Sequence, residues 1–423
     1  MKILNPRQLA VRVSLLVVIS LLNTAAAEST SNTTKDASSV LSGFIKNSLA
    51  NHPGLLAAKA DVQSAKAVLR ASDQAVYNPE LEFDYEDTDV KTKSIGISQT
   101  IDWGDQQGSR TSVSEAQLHK VMANYKIVIQ SFISSLLTGL AKNQTEKELA
   151  QLSNETLTLM LEFRQIAERR YQAGDLSQVE LNLARLAYNQ ALMDQANTLS
   201  NATEASEKLR AILGTLPSSL PALPEQLPEP ELNKDLEAFL QQLPVIRTQL
   251  AEVQVARQQV ALRKSETAWD PTISVSAGSE GEEDLIGFNL SIPLNIRNSF
   301  SAEVDAAHQD LIASEQRVQL AYRDTRATLI VTSERYRNLL KAWNSWRENS
   351  RDSVDQQLTL IKQLWQAGDI SAADYLLQLK QALETQASGL ELRNQLWQVA
   401  FEWMSLTASI DNWLNINAEL GQN

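Results

Sequence analysis

The chain states one long arrangement twice. Tyr171-Gln172-Ala173-Gly174-Asp175-Leu176-Ser177 returns as Trp365-Gln366-Ala367-Gly368-Asp369-Ile370-Ser371. Asn78-Pro79 is echoed by Asp270-Pro271, Pro53 by Pro244 and Gly96 by Gly287, each pair 191 to 194 residues apart. Solenoid units recur every ~20–50 residues. Two copies of one large unit therefore make up the protein, and the shape of that unit constrains the fold.

Residues 40–214 form the first unit. A helical pattern runs from Val40 to about Val76 and stops at Asn78-Pro79, because proline disfavours a helical residue before it. Two alternating runs follow. Leu81, Phe83 and Tyr85 interleave with Glu80, Glu82, Asp84 and Glu86, and Ile95 and Ile97 with Ser94, Gly96 and Ser98. Period two predicts strands with one apolar and one polar face. From about Gly108 to Tyr171 there is no proline, so the spacing predicts one helix of ~65 residues, near 100 Å long. A turn at Gly174 leads into a helix to about Leu213, with Leu192, Ala196, Leu199, Ala202, Ala205, Leu209 and Ile212 as its seam. Residues 215–231 hold five prolines and read as an extended linker. The second unit, 232–410, repeats the order, with Leu392, Leu396, Val399 and Trp403 as its last stripe. Residues 411–423 are a tail.

Residues 1–27 read as a secretory signal peptide. Lys2, Arg7 and Arg12 precede the short apolar run Leu15–Leu22, and Ala25-Ala26-Ala27 supplies small residues for cleavage. Residues 28–39 are polar and read as a flexible lead-in. The sequence has no cysteine, so neither a disulfide nor a lipidated N-terminal cysteine is available. Its formal net charge of −13 becomes −16 once the three basic residues of the signal are removed. Such an acidic chain is not expected to bind nucleic acid. After Leu22 no apolar run is long enough for a transmembrane helix.

Each unit is thus helix, hairpin, very long helix, turn, helix. Two strands alone are marginal. Four strands per chain can close only by joining strands of other copies, and three copies would give a twelve-stranded membrane barrel without open edges. Lipid would then meet Leu81, Phe83, Tyr85, Ile273, Val275, Phe288, Leu290 and Ile292, while Glu80, Glu82, Asp84 and Glu86 face water inside. The competing reading is a soluble two-sided sheet with an acidic face.

Catalytic and metal constellations are missing from the pattern. His52, His119 and His308 fit no ligand spacing. There is no phosphate-cradling Gly-Lys-Ser/Thr motif and no Gly-x-Ser-x-Gly elbow. Trp343 and Trp346, three apart on a helix, read as packing. No enzyme activity, cofactor or metal site is expected.

The chain resembles the TolC family of outer-membrane efflux ducts and is most similar to the CzcC-like group. The resembling segments are Asn51-His52-Pro53-Gly54-Leu55, Asn78-Pro79-Glu80-Leu81, Ile97-Ser98-Gln99-Thr100, Leu290-Ser291-Ile292-Pro293-Leu294 and the two Ala-Gly-Asp turns. The resemblance implies a homotrimer in the outer membrane of a Gram-negative bacterium, its β-barrel continued by an α-helical tunnel across the periplasm. It implies a periplasmic membrane-fusion adaptor and an inner-membrane pump, of the RND type. It makes Gly174, Asp175, Gly368 and Asp369 the adaptor-docking tips. It also places a tunnel entrance just beyond them, at Glu180 and Leu183 in the first unit and Asp374 and Leu377 in the second. The family's acidic ring is only partly present, since leucine stands at 183 and 377. Ile370 replaces the basic residue that family tips often carry.

The expected function is the channel component of a tripartite efflux system, exporting metal cations or small toxic compounds. The same architecture could serve type I protein secretion. The rival of another class is an exported coiled-coil scaffold or adhesin, which has no need of matched amphipathic strand pairs.

Overall fold

The computed structural model describes residues 39–224, 226–231, 235–349 and 351–416. The signal peptide, nearly all of the polar lead-in and the end of the tail lie outside the described residues. The elements are α1 (residues 39–51), α2 (Pro53–Ser72), β1 (Glu80–Asp87), β2 (Lys91–Thr100), α3 (Gln106–Ala173) and α4 (Gln178–Leu213), followed by α5 (Leu236–Gln242), α6 (Pro244–Ser265), β3 (Thr272–Glu280), β4 (Glu283–Ser291), α7 (Ser301–Asn349), α8 (Arg351–Ala367), α9 (Ala372–Leu406) and α10 (Ile410–Leu414). Pro53 and Pro244, one of the echoed pairs, both open a helix. There the missing N–H costs nothing, because the first turn has no acceptor for it. Each proline also ends the segment before it, so the helix expected over 40–76 is divided at His52 and the one expected over 233–268 at Leu243.

The chain forms two compact units, each drawing on both halves of the sequence. The strand-bearing unit comprises Pro53–Ile129 and Asn233–Ile330. Its strands form one antiparallel sheet in the order β1-β2-β3-β4. The two hairpins are thus joined through β2 and β3, with Ile97 opposite Val275 and Ile95 opposite Ala277. β1 and β4 are left as edges.

The second unit is helical and contains α1, α4, α8, α9 and α10 with the distal parts of α3 and α7. One core gathers Leu152, Met160, Phe163, Ala167, Leu181, Ala184, Ile361, Trp365, Tyr375 and Leu379. The seam of α4 differs from the expected one in its first half. Leu181, Ala184 and Ala191 are buried, whereas Leu192 and Leu199 are exposed. Alanine allows the closer helix approach, so the core takes Ala184 and Ala191 beside Leu181 and leaves Leu192 and Leu199 outside. The proline linker is pinned rather than free. Trp397 Nε1 donates to the Pro224 carbonyl at 3.3 Å, Tyr336 Oη donates to the Pro228 carbonyl, and Leu223 is buried.

Candidate functional site

Residues directly opposite in the sheet share a face, so the register sorts every strand side chain. One face stacks three apolar rows: Ile273 and Leu290 beside Gln99; then Leu81, Ile97, Val275 and Phe288; then Phe83, Ile95, Ala277 and Ile286. A row of Tyr85, Lys93, Ser279 and Asp284 ends it. Successive rows on one face lie about 7 Å apart, two residues along the strand, so the band is about 20 Å tall. None of it is covered: Phe83 and Phe288 are each 71% exposed and Ile286 82%. Of the residues expected to meet lipid, all but one lie on this face. Ile292 lies one residue beyond the end of β4 and is also exposed. The opposite face carries Glu80, Glu82, Asp84, Glu86, Glu280 and Glu283, separated mostly by serine, threonine, glycine and asparagine, with no lysine or arginine.

At the base of the sheet a buried carboxylate ties strands to helix. Asp270 accepts from Tyr77 Oη (2.9 Å), Gln106 Nε2 (2.7 Å) and the Trp103 N–H (3.1 Å). The Asp102 carboxylate accepts the N–H groups of Gln106 and Gln107, at 2.7 and 2.8 Å, and so caps α3. A β-carbon on Gly104 would fall 2.4 Å from the Ser265 carbonyl oxygen, so only glycine allows this approach. Trp103 (74% exposed) and Trp269 (55%) flank this junction, and Tyr85 is at the other end of the apolar band. Their positions match the aromatic girdles of a sheet immersed in lipid. The tryptophans escape sequence reading because they stand outside the strands and follow no period. Their only signal is a lone aromatic just outside a strand.

The two echoed turns have one geometry. Gly174 and Gly368 take φ of 85° and 86°. The Asp175 N–H donates to the Arg170 carbonyl and the Gly174 N–H to that of Tyr171; Asp369 and Gly368 do the same with Leu364 and Trp365. These are paired Schellman closures, in which glycine avoids the clash that a β-carbon brings at positive φ. Each is followed by a serine N-cap. Ser177 and Glu180 form a complete capping box, and the Asp374 N–H donates to Ser371 Oγ at 3.1 Å while that hydroxyl donates to Asp374 Oδ2 at 2.7 Å. Glu180 and Asp374 are therefore each the third residue of a helix, with carboxylates engaged by their own caps. The Glu180 carboxyl is held below its ordinary range first by the Ser177 N–H and hydroxyl, with the Arg170 charge and the Ala372 N–H adding to them. Leu183 is half-buried and Leu377 is 66% exposed. Ile370 packs against the core, as Leu176 does in the first turn, which accounts for an apolar residue at that position.

Behind the turns lies a group that the sequence does not announce. Phe163, Trp365 and Tyr375 meet ring to ring with centroids 5.1 to 5.4 Å apart, and the Arg170 guanidinium sits 4.8 Å above the Trp365 ring. Arg170 and Trp365 belong to different turns, so this contact joins the end of α3 to the end of α8. Burial, with the nearby Glu162 charge, pushes the Tyr375 phenol up to about 12. An unfolded tyrosine ionises near 10. The fold is thus unaffected by this group below pH 10 and loses up to about 3 kcal/mol as pH rises towards 12. Alkaline unfolding followed by near-ultraviolet circular dichroism should show that loss. Tyr375→Phe should remove it, and an unchanged alkaline limb in that variant would exclude Tyr375 as its source.

Among the described residues no helix is long and apolar enough to cross a membrane, and no group of three His, Asp or Glu side chains converges as a metal site. Residues 44–215 match the family model described as outer membrane efflux protein. Among solved structures the chain is similar to CusC, described through its folding and transmembrane channel formation, at 17% identity and a TM-score of 0.69, over 89% of this chain and 92% of that one. It is similar to the CmeC outer membrane channel of Campylobacter jejuni (13%, 0.72, 90% and 90%) and to the MtrE outer membrane channel of Neisseria gonorrhoeae in its open state (16%, 0.71, 88% and 89%). Among curated proteins no sequence matches.

Proposed function

We infer that this chain, whose residues 44–215 match the outer membrane efflux protein family model, belongs to that family and is the outer-membrane channel of a tripartite efflux system in a Gram-negative bacterium. It is a conduit and not an enzyme. One observation carries the reading: a four-stranded sheet with an uncovered apolar face, an acidic opposite face and two unpaired edges. In water such a sheet would aggregate through its edges and its apolar side. In a trimer β4 of each copy meets β1 of the next, twelve strands close, lipid covers the apolar rows and the carboxylates line the lumen. A coiled-coil scaffold or adhesin leaves that sheet without a role.

The helical unit supports the same assembly. Val179, Leu186 and Met193 recur every seven residues on the outward side of α4, beside Leu192 and Leu199, and all five are exposed in the single chain. A seven-residue apolar stripe calls for a helix partner, which a neighbouring copy supplies. The Gly174 and Gly368 turns serve as tips for a periplasmic membrane-fusion adaptor, with an RND-type pump behind it. Glu180, Asp374, Leu183 and Leu377 stand at the tunnel entrance, and the Arg170–Trp365 contact holds the two turns of one subunit together. The acidic lumen favours metal cations and cationic toxic compounds as cargo.

Fractionation tests the reading. The protein should be recovered from outer membranes as a detergent-resistant trimer that heating converts to monomer. Recovery as a soluble periplasmic monomer would overturn it.

A further inference from the structure

We propose that the helical unit carries a small-molecule site between α3, α7 and α9, which takes a planar aromatic compound bearing a carbonyl-type acceptor and no net negative charge. A cavity of about 370 Å³ is lined there by Glu148 and Glu155 of α3, Trp343 and Trp346 of α7, and Leu390 and Arg393 of α9, among others. That volume suits a small drug-like molecule.

The walls are specific in three ways. Trp343 and Trp346 stack on each other, centroids 5.3 Å apart and planes 17° apart, and so present a flat aromatic surface. A β-carbon at Gly389 would lie 2.2 Å from the Trp346 ring, so glycine there is what admits the indole. Two donors among the lining residues, Trp346 Nε1 and Arg393 Nε, are buried without an acceptor. Buried donors are normally paired, because leaving one unmade costs its full desolvation. Two unpaired N–H groups on residues that line a cavity with a stacked aromatic pair call for a flat ligand with an acceptor atom. The Arg393 charge is already matched by Glu148, with which it forms an ion pair, while its other side rests 4.7 Å from the Trp397 ring. Glu155 leaves the lining with a net negative charge, which disfavours anions.

The duplicated sequence supplies an internal comparison. Counting back 194 residues, Trp343, Trp346, Gln386, Gly389, Leu390 and Arg393 correspond to Leu149, Leu152, Leu192, Gln195, Ala196 and Leu199. In the first half aliphatic side chains dominate these positions. The second half replaces three leucines with two indoles and a guanidinium and opens a glycine for one of the rings.

The site is tested on the full-length detergent-solubilised protein with 1-aminoanthraquinone, which is planar, uncharged and carries two carbonyls. Its fluorescence and the quenching of tryptophan emission should report saturable binding. The comparators are 2-aminoanthracene, which lacks carbonyls, and the anionic anthraquinone-2-sulfonate, and both should bind at least about tenfold more weakly. Trp346→Phe keeps the ring and removes the donor, and should weaken aminoanthraquinone binding about tenfold while leaving 2-aminoanthracene unchanged. Arg393→Lys keeps the charge and removes Nε, with the same expected result, so one variant that misfolds leaves the other to decide. No saturable binding, equal affinity for the carbonyl-free ring, or affinity unchanged in both variants would each overturn the proposal. These readouts are of binding alone, so their failure leaves the channel reading untouched.

Discussion

Val275→Arg should remove the protein from the outer membrane, while Ser274→Arg, one residue away, should leave a heat-modifiable trimer there. Val275 lies in the middle apolar row, opposite Ile97 and Phe288, and is exposed in the single chain. Arginine on the lipid side of a barrel costs about 2–4 kcal/mol at the bilayer midplane. Three copies in one trimer make that about 6–12 kcal/mol, comparable with the whole stability of a domain. Ser274 is opposite Ser98 and Asn289 on the other face. An arginine there would project into water among carboxylates. The pair is measured by outer-membrane fractionation and by gel mobility with and without heating. Equal loss in both variants would mean that β3 is intolerant for packing reasons, and equal tolerance would remove lipid from the apolar face.

This contrast was legible in the sequence because period two survives any uncertainty about strand ends. Leu81, Phe83 and Tyr85 fall on one face wherever β1 begins. What the sequence withheld was the pairing between hairpins. Nothing local tells Ile97 that Val275, far along the chain, is its neighbour, and that pairing fuses two marginal hairpins into one sheet. Strand ends were also hidden. β4 stops at Ser291, so Ile292 alternates correctly in sequence yet lies outside the strand.

The turns show a different limit. Glycine three residues before serine, with an acid three residues further on, spells a helix end followed by a helix start. Both turns have that geometry. The same spelling explains why the acids at 180 and 374 are ambiguous from sequence alone, since a capping carboxylate and an entrance carboxylate occupy the same position. The Arg170–Trp365 contact could not be read at all, because it depends on how two distant helix ends pack. The α4 seam was misplaced for a related reason: hydrophobicity points to Leu192 and Leu199, whereas the core selects the smaller Ala184 and Ala191.

Reversing three carboxylates on the polar face should abolish the cation preference of the channel. Glu80, Glu82, Asp84, Glu86, Glu280 and Glu283 give six negative charges per chain on that face, with no lysine or arginine of the strands on the same face to offset them. Glu82→Lys, Asp84→Lys and Glu86→Lys together leave three of each sign, so a trimer goes from eighteen net negative charges to none. Geometry makes the change large. Twelve strands about 4.8 Å apart and tilted about 40° give a backbone radius of about 12 Å. Side chains narrow that further, so no ion crosses more than about one Debye length from the wall at 0.1 M salt. At 1 M the Debye length falls to about 3 Å, and the unaltered channel should lose most of its selectivity as well. Reversal potentials under a potassium chloride gradient in planar bilayers measure both effects. The unaltered channel should favour potassium by several-fold at low salt, and the triple variant should sit near zero potential at every salt concentration. A triple variant that inserts normally and keeps its low-salt reversal potential would show that these carboxylates do not face the conducting path. Selection among ions would then rest with residues outside the polar face of the sheet.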